Sequence, residues 1–282
     1  MKRNLKTLQL AVLMIASASV FTWSCVDADY NDDFNQSGPP PVPGGFTSSD
    51  QIAPANRVGH WAFNNSLIDS VSGTSGVSTG AITYATGLKN QSLKGDLNAY
   101  VKAPASTAIR SMTAYTVSVW VNSPLNTGAT GLVSLIDSVN FWGNFNIFFE
   151  NGGNANLARI KAIYTDSSTV RDNNVQEVTG GFGKWVQYAI SYDAAGNFKS
   201  YVDGAPVRTN TVAGMGNIRF THAGQILFGA LQFMTIPSST IGSTSQPWAG
   251  YLTGQIDEVR IYNKALNDTE VFALFTLEKQ GR

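Results

Sequence analysis

Only one cysteine, Cys25, occurs among the 282 residues, so no internal disulfide can form. Histidine is almost as scarce: His60 and His222 stand alone, far from any His-rich metal-ligand spacing. Charged residues make up 13% of the chain and the formal charge is zero. No run of Lys or Arg appears, which removes the electrostatic footprint of a nucleic-acid partner. There is no Gly-x-Ser-x-Gly nucleophile elbow. Long apolar runs are missing too, apart from Leu8 to Phe21, which is too short to be a good membrane span.

That one run has an address. It follows the basic stretch Met1-Lys2-Arg3-Asn4-Leu5-Lys6 and precedes Thr22-Trp23-Ser24-Cys25, the layout of a signal peptide over residues 1–24. An unpaired exported thiol is a liability. The place of Cys25 after a small residue at the end of the apolar run resembles a bacterial lipoprotein signal, in which Cys25 becomes the lipidated first residue. Asp27, Asp29, Asp32 and Asp33 come next, then the Pro/Gly-rich run from Gly38 to Gly45. Such a segment cannot build a core, so residues 25–55 read as an extended tether. Acidic residues directly after a lipidated cysteine resemble the surface-export signal of Gram-negative glycan-utilising bacteria. The expected location is therefore the outer membrane, lipid-anchored at the cell surface, with outer-membrane glycan-uptake machinery as a possible neighbour.

What is plentiful is apolar residues at 43% and glycine at 27 positions, which suits one β-rich domain with a sizeable core over residues 56–282. From Arg57 onward, short period-2 runs alternate with Gly/Asn/Ser clusters, as in an all-β sandwich. Val117, Val119 and Val121 share one face, and so do Val186, Tyr188, Ile190 and Tyr192. Asp193 to Asn197 reads as a hairpin connection and Asp203-Gly204 as a tight turn. Asp69 reads as the cap of the turn through Gly73. One helix is predicted: Asn267 caps it, Glu270 completes a capping box, and Val271, Leu274 and Phe275 form its apolar side. Leu231 to Gly250 is rich in Ser, Thr, Gly and Pro and reads as loops near one edge.

Near the end, Gly254 to Asn263 reads as a closing strand. Alternation puts Asp257 on the face of Val259 and Ile261, with Glu258, Arg260 and Tyr262 opposite. A carboxylate at the edge of a core is costly unless it is paired or bound to a metal, so Asp257 hints at a cation.

The segment GQIDEVRIYNKALND resembles the closing strand of laminin-G-like, concanavalin A-like jelly-roll domains of bacterial surface proteins. Lys184 to Asp193, followed by Tyr201-Val202-Asp203-Gly204, is similar to another strand pair of that family. Weaker matches lie at His60-Trp61-Ala62-Phe63 and Tyr115 to Val121. The resemblance implies a two-sheet antiparallel jelly-roll sandwich with one short C-terminal helix. It also implies a structural calcium ion with Asp257 as a ligand, completed by backbone carbonyls, and with Gly95 and Asp96 as further contributors.

Related glucanases carry a Glu-x-Asp-x-(x)-Glu strand whose carboxylates act as nucleophile and acid/base. This chain has five Glu, at 150, 177, 258, 270 and 278, and none has a second Glu four or five positions away with an Asp between. Asp257 and Glu258 are adjacent and offer no substitute pair, so enzyme activity is not expected. Binding is. Sugar recognition uses an aromatic platform with hydrogen-bonding groups around it. Trp61, Trp120 and Trp185 sit in strand motifs and read as packing residues. Trp142, Asn144 and Trp248 lie in Gly-, Asn- and Pro-rich surroundings and read as the ligand-binding set. The expected ligand is a polysaccharide or glycan. A module for adhesion or assembly that binds protein, and a degenerate glycosidase, are the other readings.

Overall fold

The computed structural model describes residues 41–282, residue 168 apart, so Cys25 and its acidic surroundings lie outside the described residues. The strands are β1 (Arg57–Trp61), β2 (Val77–Thr79), β3 (Thr83–Thr86), β4 (Gln91–Lys94) and β5 (Tyr100–Pro104). After the short helix α1 (Thr107–Arg110) come β6 (Tyr115–Asn122), β7 (Ala129–Asp137), β8 (Phe145–Phe149), β9 (Leu157–Asp166) and β10 (Thr169–Thr179). Then follow β11 (Val186–Tyr192), β12 (Asn197–Val202), β13 (Ala205–Thr211), β14 (Ala223–Phe228), β15 (Ala249–Gly250), β16 (Gln255–Tyr262) and the helix α2 (Asp268–Lys279). Two sheets form. The first runs β13-β12-β11-β6-β16-β4-β3 with β1 also on β16, and the second runs β10-β9-β8-β7-β14-β5-β2 with β15 beside β7.

Alternation builds the core between them. Val117, Val119 and Val121 of β6, with Val186, Tyr188 and Ile190 of β11, face Val133 and Leu135 of β7 and Phe145, Ile147 and Phe149 of β8. Each such side chain, fully buried, contributes roughly 1.5–3 kcal/mol. The predicted turns and caps are present. Asp203 and Gly204 both have positive φ, 48° and 75°, as the two-residue connection of β12 to β13 needs. Asp69 accepts from the Val71 and Ser72 backbone N–H groups. The capping box of Asn267 and Glu270 opens α2.

Three expectations change. The folded unit begins before residue 56: Val42 and Ile52 are buried with α2, and Asp50 bonds Arg260 at 3.0 Å. Residues of the predicted tether from Val42 on thus belong to the folded unit, because their apolar side chains find a surface to cover. Leu231–Gly250 is not at an edge; it crosses the outer face of the second sheet and pairs through β15 with the central strand β7.

The third change concerns the closing strand. Glu258 has φ 45° and the register against β6 slips between Asp257 and Arg260, so a bulge sits there. The extra residue breaks the alternation. Ile256, Val259 and Ile261 face the core, whereas Asp257 lies opposite Trp120, whose ring stacks on Phe275 of α2. Asp257 is therefore on the outer face and not with Val259 and Ile261. At the same point β16 changes neighbour, from β4 to β1.

Candidate functional site

The outer face of the second sheet carries apolar side chains where a solvated face would be polar. Tyr100 of β5, Ile136 of β7, Phe148 of β8, Ile163 of β9 and Leu227 of β14 are all buried there. Two loops cover them: residues 138–144, and the long connection from β14 to β15. Gln232 ties the loops together. Its buried side chain accepts from the Asp137 backbone N–H at 3.0 Å and donates to the Asn140 carbonyl at 2.6 Å.

The result is a mound of rings. Phe141 stacks on Phe233 at 4.4 Å between centroids, and Trp142 stacks on Phe148 at 5.4 Å. Trp248 meets Phe233 at 5.2 Å and Trp142 at 6.2 Å. Such pairs contribute about 0.5–1.5 kcal/mol each beyond area burial. Phe233 is fully buried, while Phe141, Trp142, Trp248 and Tyr251 are half-buried and form the mound's outer surface. The two tryptophans predicted as a platform are thus brought together. Asn144 is not with them. It is buried, donates to the Ile136 and Thr221 carbonyls and accepts from the Thr221 N–H. With both ends of its amide engaged, it fastens the loop and presents nothing to a ligand.

Sequence reasoning missed Phe148, Gln232 and Phe233. One signal was available: Ile147-Phe148-Phe149 is apolar at three consecutive positions, which marks a strand covered on both faces. Beside the mound, Phe148 pairs across strands with Lys161. Lys161 lies 3.3 Å from Glu150 and 2.7 Å from Asp172, so its charge is neutralised by two carboxylates.

The other polar cluster lies on the opposite sheet, under α2. Arg260 is 1% exposed; it bonds Glu258 at 3.0 Å and Asp50 at 3.0 Å. Its Nε lies 2.7 Å from Glu278 Oε1, close enough for an ion pair though poorly angled for a hydrogen bond. Trp120 Nε1 donates to Glu278 at 2.7 Å, and His60 meets Glu258 at 3.0 Å. Burial works against the Glu258 charge, but the His60 bond and the positive neighbours outweigh it and hold this carboxyl below its usual range. Burial dominates at Glu278 and raises it. These carboxylates are sealed between strand and helix, so they clamp α2 to the sheet and face no substrate.

Asp257 lies near this cluster with different partners. Its Oδ2 accepts from the Leu88 and Lys89 N–H groups at 2.8 and 3.1 Å, and its Oδ1 from Glu258 N–H at 2.8 Å. A buried carboxylate can be satisfied by N–H donors as well as by a cation, and here Asp257 caps the turn between β3 and β4. Burial, the largest influence, still pushes its carboxyl up to about 8. Two oxygens, Asp257 Oδ2 and the Gln91 carbonyl, converge on the space that a β-carbon on Gly87 would fill, at 2.6 and 2.9 Å from it. Gly95 and Asp96 follow β4, whereas the Asp257 carboxylate serves the turn that precedes β4. The exposed Asp96 accepts from Leu97 N–H, so the structure does not join it to Asp257. Among the described residues no group of three or more His, Cys, Asp or Glu is placed to hold a metal ion.

Comparison with solved structures finds the same fold widely. Domain 4 of AbnA, a GH43 extracellular arabinanase from Geobacillus stearothermophilus solved in complex with arabinotriose, is 23% identical with a TM-score of 0.55. The match covers 78% of this chain and 98% of that one. The botulinum neurotoxin serotype G binding domain is 18% identical with a TM-score of 0.58, over 79% of this chain. The binding domain of Paraclostridial Mosquitocidal Protein 1 is 16% identical with a TM-score of 0.58, over 78% of this chain. The chain spans about half the length of these two toxin domains, 51% and 52%. At such identities the likeness shows the fold alone. Comparison with curated proteins gives no match. Residues 94–272 match the family model described as the concanavalin A-like lectin/glucanases superfamily, and with the two-sheet jelly roll already in place, the chain belongs to that family.

Proposed function

We propose that this protein is a non-catalytic carbohydrate-binding module that holds a polysaccharide against the mound of Trp142 and Trp248. The observation that carries the reading is that two half-buried indoles, delivered by separate loops, lie side by side on an outer sheet face. Flat apolar rings beside hydrogen-bonding groups suit the C–H faces and hydroxyls of sugar rings. The arabinotriose complex of the AbnA domain supports the same ligand class on this fold. The sealed state of Glu258 and Glu278 speaks against the degenerate glycosidase, which release of reducing ends would expose. Isothermal titration of a polysaccharide panel tests the proposal: Trp142→Ala and Trp248→Ala each weaken binding about tenfold or more, with the fold intact. Unchanged affinity in both variants overturns it.

A protein ligand is the second reading, favoured by one feature. Ile236 and Ile241, in the loop beside the mound, are 68% and 76% exposed, and exposed aliphatic side chains suit a protein partner better than a sugar. A polysaccharide panel without a hit, together with unchanged folding, points to this adhesion role.

The export address supports a module lipidated at Cys25 and displayed on the outer membrane, next to glycan-uptake machinery. Fatty-acid labelling of wild type and Cys25→Ala tests the anchor, and equal incorporation refutes it. The resemblance also supports a structural calcium ion at Asp257, with the oxygens around Gly87 as its surroundings; a thermal melt with and without chelator tests it.

A further inference from the structure

On the same outer face, the loop Pro237–Ser239 walls a cleft of about 260 Å³ that spans β5, β14 and β7. This lies just below the roughly 300–1,000 Å³ of drug-sized sites, so it suits a single sugar ring or substituent. Lys102, Ser138, His222, Gln225, Ser238 and Ser239 give it its polar lining, and no Asp or Glu lines it.

Lys102 is the distinctive member. Its cross-strand neighbours are Leu227 and Val77, both apolar. Its ammonium lies 6.0 Å from the centre of the Tyr100 ring, and among the described residues no carboxylate pairs with it. Lys161, on the other flank of the mound, has two such partners. His222 turns Nδ1 toward the buried Asp137 at 3.3 Å and lines the cleft beside Lys102. The cleft therefore offers an unneutralised ammonium, an amide and hydroxyls, and the nearby Asp137 carboxylate is buried behind His222 and does not line it, which is a chemistry for negative charge.

We propose that this cleft is a subsite for an anionic substituent on a sugar, a carboxylate or a sulfate ester, with Lys102 as its counter-charge. The proposal rests on the carbohydrate reading above and adds the class of glycan.

The test uses matched oligosaccharides, one neutral, one bearing uronate and one bearing sulfate, against wild type, Lys102→Gln and Lys102→Arg. At low salt the wild type binds one charged ligand at least tenfold tighter than the neutral one. The preference shrinks in high salt, disappears in Lys102→Gln and persists in Lys102→Arg. Which charged ligand wins separates carboxylate from sulfate. A wild type that binds all three equally, or a Lys102→Gln that keeps the preference, overturns the proposal. Free glucuronate and inorganic sulfate, titrated while the Lys102 side-chain NMR signal is followed, separate the two levels. If no oligosaccharide binds but one of these anions shifts Lys102 saturably, the carbohydrate reading fails and the anion cleft stands; if neither shifts it, the cleft fails.

Discussion

The rings of Trp142 and Trp248 lie 6.2 Å apart, centroid to centroid, and both rest on Phe233. Binding and local stability are coupled through that shared support. Phe233→Ala is expected to cost about 3–5 kcal/mol of stability, the usual range for a buried Phe, and to weaken polysaccharide binding as well. Trp142→Ala, at a half-buried position, is expected to lower binding with a smaller loss of stability. Urea unfolding beside titration calorimetry checks the contrast.

Gly131 tests whether the long loop sets the platform. A β-carbon there would lie 2.2 Å from the Ala230 backbone, which begins the connection to Phe233. Gly131→Ala must push that backbone away, because no flexible side chain can yield. The expected result is a loss of roughly 1–3 kcal/mol, typical of overpacking, with weakened ligand binding. Gly216→Ala, where a β-carbon meets open space away from the rings and the cleft, is the control.

Arg260 is expected to be far more sensitive than a surface ion pair. Arg260→Met leaves Glu258 and Glu278 buried without their common cation, at a cost of about 3–5 kcal/mol. Adding Glu258→Gln and Glu278→Gln removes the stranded charges and is expected to recover part of that loss. Chemical denaturation of the single and triple variants measures both steps.

Asp257 is expected to make stability fall as pH rises. Burial raises its carboxyl to about 8, against roughly 3.9 in an unfolded chain. Between about pH 4 and pH 8 the folded state holds a proton that the unfolded state has released, so this contribution to stability is lost as pH rises through that window, by at most about 1.4 kcal/mol per unit. Asp257→Asn removes this contribution to the slope. A bound calcium ion favours the ionised carboxylate and is expected to oppose the alkaline loss, with chelator restoring it. Identical melts with calcium and with chelator across this range exclude a structural ion at Asp257.

Where a property was local, it could be read from the chain. The alternating Val117, Val119 and Val121, the Asp203-Gly204 turn and the Asn267–Glu270 box each depend on neighbours a few residues away, and all three are present. Glu258 shows the limit. No residue pattern announces a left-handed glutamate, and that single φ moved Asp257 to the other face of its sheet. Asn144 failed for a related reason: its partner Thr221 comes from a remote segment, so its burial belongs to the packing of two loops. Trp142 and Trp248 were read as one binding set from their loop surroundings, but the element that brings them together, Gln232, carries no motif.

Ser49 Oγ donates to the Arg282 carbonyl at 2.7 Å, so the start and the end of the folded unit are fastened together beside α2. The ring mound lies on the other side of the sandwich. A segment leaving either end of the folded unit therefore starts from the side of the sandwich away from the rings.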